Sequence, residues 1–184
     1  DEGTAVVPDG ISVVKAMNLL GYPAKERITG VDLAEKLLRL AGEKGKRVYL
    51  LGAKEEVVSA LAEKLVAQYP KMEVRYKNGY GKDKDADFRE IEAMQPDLTL
   101  VALGVPAQEK LIARHLENFQ KGVFIGVGGS FDVLSGSKRR APALFVKTNT
   151  EWLYRIVREP SRLGRFYRNN VKFLRAVRRE SKKG

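Results

Sequence analysis

Short apolar runs alternate with helically spaced apolar positions along most of the chain. Residues 47–51, 72–76, 98–103 and 123–127, rich in Val, Leu and Ile, predict strands. Between them the period lengthens. In residues 54–68, Val57, Val58, Leu61, Leu65 and Val66 fall on one helical face; residues 87–94 form a shorter helix after an acidic turn; residues 107–119 follow the turn Gly104-Val105-Pro106. Upstream, residues 10–20 and 31–41 predict two more helices, separated by Gly21-Tyr22-Pro23. From Glu151 onward the pattern is helical and basic, with interruptions expected at Pro160 and Gly164.

Strand–helix alternation of this kind predicts an α/β fold, a Rossmann-like, mostly parallel sheet flanked by helices, followed by a basic helical C-terminal appendage. The expected division is residues 1–150 for the α/β domain and 151–184 for the appendage. Runs 98–103 and 123–127 are apolar throughout rather than alternating, as strands covered on both faces are, and are expected at the sheet centre. In such sheets ligands bind beyond the carboxyl ends of the strands, so Gly52, Gly104 and residues 126–130 belong to one expected cleft.

Charge sharpens this division. The net charge is +11 over 184 residues, but residues 138–184 hold 15 Lys/Arg against 3 Asp/Glu, whereas residues 1–137 hold 19 and 20. The tail thus carries +12 and the body −1. A cationic surface attracts anionic lipid, nucleic acid or a polyphosphate ligand, and charge alone does not choose among them. The absence of Cys excludes disulfides, thiolate nucleophiles and Cys-based metal sites. No apolar run approaches the roughly 18 residues of a membrane span, and residues 1–10 lack the pattern of a signal peptide, so a cytoplasmic location is expected.

Several short motifs could carry chemistry. Residues 126–132, Gly-Val-Gly-Gly-Ser-Phe-Asp, form a Gly-rich turn leaving a strand, whose backbone N–H groups suit a phosphate or sugar, or simply a tight turn. Asp132 behind it suits a ribose, a base or the cap of the next turn. Gln108, in the first turn of a helix, carries an amide that both donates and accepts, and is expected to face the cleft. Its neighbour Glu109 suits the helix dipole alone. Asp9, between Pro8 and Gly10 ahead of a helix, is either an N-cap or a general base at a cleft edge. Asp83, Asp85 and Asp87 mimic a D-x-D metal site, but helix capping accounts for them, and no metal is expected. His115, the only histidine, is expected on a helix surface. In the tail, Trp152, Leu153, Ile156, Val157, Phe166, Tyr167, Phe173, Leu174 and Val177 interleave with arginines, the pattern of an interfacial helix on an anionic membrane. Packing on the body or on a second subunit is the main rival, and nucleic acid is not expected.

Taken together, the stretches PDGISVV (8–14), ERITGVDL (26–33), RVYLLGA (47–53), PDLTLVALGVPAQEK (96–110), GVGGSFDVLSGSKRRAP (126–142) and EWLYRIVREPSR (151–162) resemble the bacterial WecG/TagA/CpsF glycosyltransferase family. The resemblance implies an inverting, metal-independent and cofactor-free transfer of N-acetylmannosamine from UDP-N-acetylmannosamine. The implied acceptor is the 4-hydroxyl of N-acetylglucosamine on undecaprenyl diphosphate, at the inner face of the plasma membrane, in wall teichoic acid linkage-unit synthesis. It casts Asp9 as catalytic base and Gly104, Gln108, Gly128, Gly129 and Asp132 as the donor pocket. Arg27 falls to acceptor or donor phosphate, and Arg155, Arg162 and Arg165 are candidates for the diphosphate. Members carry a segment upstream of the Asp9 motif, and self-association fits the family. A different donor sugar, N-acetylmannosaminuronic acid or glucose, keeps the same fold; a nucleotide- or RNA-binding module without catalysis is the alternative of another class.

Overall fold

The computed structural model describes residues 5 and 7–182, without the side chains of Arg155, Arg162, Arg165, Phe166 and Asn169. In chain order the first elements are α1 (Ile11–Leu19), α2 (Gly30–Glu43), β1 (Arg47–Gly52), α3 (Glu55–Gln68), β2 (Glu73–Lys77) and α4 (Lys84–Met94). They are followed by β3 (Leu98–Ala102), α5 (Ala107–His115), β4 (Val123–Gly126), α6 (Ser130–Leu134), α7 (Ala143–Lys147), α8 (Glu151–Arg158) and α9 (Arg162–Glu180). These elements fall into two compact units, Gly30–Arg139 and the described parts of Asp1–Thr29 with Arg140–Gly184.

The first unit holds a four-stranded parallel sheet in the order β2-β1-β3-β4. Alternation along the strands separates two apolar layers. Val48, Leu50, Leu98 and Leu100 pack with Leu38 of α2, Val58 and Leu61 of α3 and Phe131 of α6. Tyr49, Leu51 and Val101 face the other way, onto Phe88, Ile91 and Met94 of α4 and Leu111 of α5. The α/β fold with a parallel sheet and a C-terminal helix is therefore as the pattern predicts.

Three local expectations are corrected. Strand β3 is central, but β4 lies at the sheet edge with Val123 half exposed. Helices cover both faces of an edge strand as readily as a central one, so Phe124 and Ile125 still pack on opposite layers and the run reads as apolar. Helix α4 begins at Lys84, three residues before the expected 87, because Asp83 Oδ1 accepts from Ala86 N at 2.8 Å and caps the acidic turn. Only the Pro160 interruption separates helices; α9 runs through Gly164, whose cost in a helix, about 1 kcal/mol, does not end one.

In the second unit α1 packs with α9, and α8 with α7 and α9. Val14, Ala16 and Val177 are buried. This unit draws residues 7–29 together with the tail, and so divides the chain differently from a boundary at residue 150. The reason is non-local: a 9-residue, largely apolar helix near the start finds its partner in a helix more than a hundred positions later.

Candidate active site

At the carboxyl edge of the sheet, glycines let the loops approach one another closely. Gly52, at φ +122°, ends β1 against β3: a Cβ there would lie 2.5 Å from Ala102 O. Ala53 N donates to Ala102 O at 3.2 Å, and Gly79 N donates to Ala53 O at 2.8 Å, which lays the loop after β2 over the end of β1. That loop presents Tyr80 at 72% exposure. Sequence reading passed over this tyrosine, whose one signal was an aromatic between two glycines, Gly79 and Gly81.

Gln108 joins the next two strand ends. Its Oε1 accepts from Gly104 N at 3.0 Å and from Gly128 N at 3.1 Å, and its Nε2 donates to Glu109 Oε1 at 2.8 Å. Two N–H donors on one atom identify that atom as the amide oxygen. The residue is buried, not open to a cleft. Gly104 (φ +81°) and Gly128 (φ +50°) both sit in the left-handed region that favours glycine. Their N–H groups are thus used internally, while Val127 N bonds to Val101 O and Ser130 N to Val127 O. Gly129 caps the short helix α6, and Asp132 in its first turn is partly exposed, its Oδ1 3.7 Å from Lys138 Nζ. The structure therefore brings Gly104, Gln108 and Gly128 into one bonded group, with Gly129 and Asp132 following directly along the chain.

In the other unit, Ile28 N donates to Pro8 O at 3.1 Å, holding the turn that carries Asp9 beside the stretch that carries Arg27. The N-cap of α1 is Gly10, not Asp9, and Asp9 is exposed. Arg27 Nη2 donates to Glu151 Oε2 in an ion pair whose two side chains are 11% and 6% exposed. Arg140 Nε lies 3.7 Å from Glu151 Oε1. A buried carboxylate thus sits between two guanidiniums drawn from ERIT, SKRR and EWLYR. Glu151 and Arg140 were missed from sequence; the available signal was an acid opening a strongly basic appendage. Arg155, Arg162 and Arg165 have side chains outside the described residues.

The remaining acidic motif is structural. Asp83 caps α4, Asp87 is buried with Lys77 Nζ and Lys84 Nζ each at 3.2 Å, and Asp85 takes Arg114 and His115. His115 is not a surface residue. It is buried, stacks on Phe88 at 4.9 Å, and has Glu92 Oε1 2.7 Å from Nδ1 and Asp85 Oδ1 2.8 Å from Nε2. Those bonds hold both carboxylates below their usual pKa: His115 leads the causes for Asp85, and the Asn118 amide those for Glu92. Among the described residues no group of three or more His, Asp or Glu side chains is placed to hold a metal ion.

Residues 1–184 match the glycosyl transferase WecG/TagA/CpsF family along their whole length. The chain belongs to that family. It is 40% identical over 158 residues to the N-acetylglucosaminyldiphosphoundecaprenol N-acetyl-beta-D-mannosaminyltransferase of Bacillus subtilis (strain 168), covering 85% of this chain and 62% of the relative. The protein of the same name from Bacillus spizizenii is 41% identical over the same shares, and that of Staphylococcus aureus (strain MW2) 37% identical over 90% of this chain and 65% of the relative. This WecG/TagA/CpsF member therefore spans less than two thirds of the length of the curated relatives it matches.

Proposed function

We propose that the chain carries the catalytic core of an inverting transferase. It moves N-acetylmannosamine from UDP-N-acetylmannosamine to the 4-hydroxyl of N-acetylglucosamine on undecaprenyl diphosphate, in wall teichoic acid linkage-unit synthesis. The observation that carries this reading is the 37–41% identity, over 85–90% of the chain, to relatives named for that transfer. Family resemblance supplies the assignment of residues.

The reaction is a single displacement. The acceptor oxygen bonds to the anomeric carbon while the bond to UDP breaks, and the leaving diphosphate keeps the electron pair. Asp9, exposed in the turn that precedes α1, takes the acceptor proton. Gly104, Gln108, Gly128, Gly129 and Asp132 serve the donor. With the Gly104 and Gly128 N–H groups held by Gln108, the Gly129 N–H and the Asp132 carboxylate are the groups of this turn assigned to donor oxygens. Tyr80 offers an exposed ring for the uracil face. Negative charge on the departing diphosphate calls for preorganised cations, and we assign Arg27, Arg155, Arg162 and Arg165 to it, since guanidinium forks suit phosphate oxygens. No metal or cofactor is assigned.

The appendage is assigned to the membrane that holds the acceptor. No described helix is long and apolar enough to cross a bilayer. Leu163, Tyr167 and Leu174 recur on one side of α9 and are exposed, as are Trp152, Leu153 and Val157 on α8. With exposed Arg168, Lys172, Arg175, Arg178 and Arg179 beside them, these residues suit shallow insertion at an anionic inner leaflet. A second copy of the chain would compete for the same stripe.

The test is UDP release from a panel of UDP-sugars with a lipid-diphosphate N-acetylglucosamine acceptor. The expected result is turnover with UDP-N-acetylmannosamine, undiminished in EDTA, and on the order of 10²–10⁴-fold slower in Asp9→Asn. A fully active Asp9→Asn removes the base, and turnover lost in EDTA removes metal independence.

A further inference from the structure

Gln108 spends three of the four polar directions of its amide on its own protein. Its oxygen holds two backbone N–H groups from different strand-end loops, at 3.0 and 3.1 Å, and one hydrogen of its NH₂ group goes to Glu109. The side chain is buried at 2% exposure. Gly126 confirms how closely the amide is seated: a Cβ there would lie 2.4 Å from Gln108 Nε2 and 2.9 Å from its Cδ. An amide so enclosed cannot turn outward to a sugar without releasing both loops.

We propose that Gln108 is a positioning residue. It staples the loop after β3 to the loop after β4, and Glu109 fixes the sense of the amide by accepting from its nitrogen. A carboxylate at position 109 leaves the amide one satisfied orientation, NH₂ toward Glu109 and oxygen toward Gly104 and Gly128. Reversed, the amide would set its oxygen against a carboxylate and its NH₂ against two N–H donors. Donor affinity then depends on Gln108 through the loop geometry and not through contact, an inference that rests on the donor role given to these loops above.

The chemistry allows an exchange test. In Gln108→Glu, one carboxylate oxygen still accepts from the glycines, but the other faces Glu109 and repels it. In the Gln108→Glu/Glu109→Gln double variant, an amide at 109 donates to the carboxylate at 108 and the staple is rebuilt with its donor on the other side. UDP binding to the 184-residue chain is measured by titration well below the melting temperature, with amide hydrogen exchange at Gly104 and Gly128 read in parallel. Gln108→Glu is expected to weaken UDP binding about 30-fold, roughly 2 kcal/mol, and the double variant to recover to within about fivefold of wild type. Gln108→Leu, which keeps bulk but no acceptor, is expected to accelerate exchange at both glycines together.

A double variant that binds UDP no better than Gln108→Glu overturns the staple, because an amide touching the donor directly is not restored by a change at 109. Unchanged protection of Gly104 and Gly128 in folded Gln108→Leu overturns it as well, and so does a Gln108→Leu that keeps wild-type UDP affinity. If the wild-type chain itself does not bind UDP, the donor reading fails instead, and the exchange data alone decide whether the staple exists.

Discussion

In Gly30–Arg139 buried apolar side chains form two continuous layers, one on each face of a parallel sheet. In the unit drawn from both ends of the chain, Val14, Ala16 and Val177 are the buried apolar residues among those described, and its most buried polar side chain is Glu151. The first unit holds its shape by packing, where each side chain contributes through many small contacts. The second encloses a carboxylate between two guanidiniums and leaves Leu144, Trp152, Val157, Leu163, Tyr167 and Leu174 exposed. A region assigned to a lipid surface keeps apolar groups outside, where they cannot also stabilise its own interior.

The contrast is tested most severely by Phe131→Ala, which removes a fully buried ring from the layer shared by α2, α3 and α6. It should cost about 3–5 kcal/mol in urea unfolding. Glu151→Ala should come next, at about 3 kcal/mol, because it strands the buried Arg27 guanidinium. Hydrogen exchange should localise that loss to α8 and to the amide of Ile28. Equal protection in the variant would mean that the ion pair is not what holds this unit.

Smaller effects separate stability from surface function. Leu163→Gln, Tyr167→Gln and Leu174→Gln should each change stability by no more than about 0.5 kcal/mol. The triple variant should nevertheless float with anionic vesicles at least about tenfold less. Flotation that survives both this triple change and truncation after Thr150 would end the membrane assignment of the appendage.

The ionic features of the sheet unit should give only gentle slopes with pH. Asp97, whose Oδ2 accepts from Arg47 N at 3.0 Å, is held below the usual carboxylate range by that bond, as Asp85 and Glu92 are by theirs. Because their folded pKa values lie below the ordinary 3.8 for Asp and 4.5 for Glu, the unfolded chain binds more protons in that range. Their stabilisation is complete above those values and fades as pH falls through the lower, folded ones. Asp97→Asn should flatten the acid limb of a melting-temperature profile between about pH 5 and 3. At the alkaline end, burial and the Glu90 carboxylate push Tyr49 up to about 12. Ultraviolet titration should show one tyrosine ionising late, and Tyr49→Phe should remove that step.

Most of the sheet unit was legible before any coordinates. Residues 47–51, 98–103 and 54–68 announce their elements because the period of apolar positions records which faces are covered, and that is a local property of the chain. Edge or centre is not local, and β4 shows it: Phe124 and Ile125 pack on the two apolar layers as β3 residues do, while β3 is the one strand paired with it among the described residues. The site residues divide in the same way. That Gly104, Gln108 and Gly128 lie at strand ends was readable from motif and turn chemistry. That the glutamine faces inward was not, since its partners include a residue 20 positions away in the loop after another strand. His115 misled for a related reason: its helical spacing suits a surface, but α4 supplies two carboxylates and a ring to enclose it.

Sequence by itself determined the α/β class, the parallel order of strand and helix, the family and the separation of a neutral body from a cationic tail. These depend on periodicity, composition and motif, which every residue carries with it. Tertiary structure decided which side chains meet: Gln108 with two glycine loops, and Arg27 with Glu151 across 124 positions of chain. Such pairings are set by how the elements pack, and a hydrogen bond about 3 Å long depends on that packing far more than on distance along the chain.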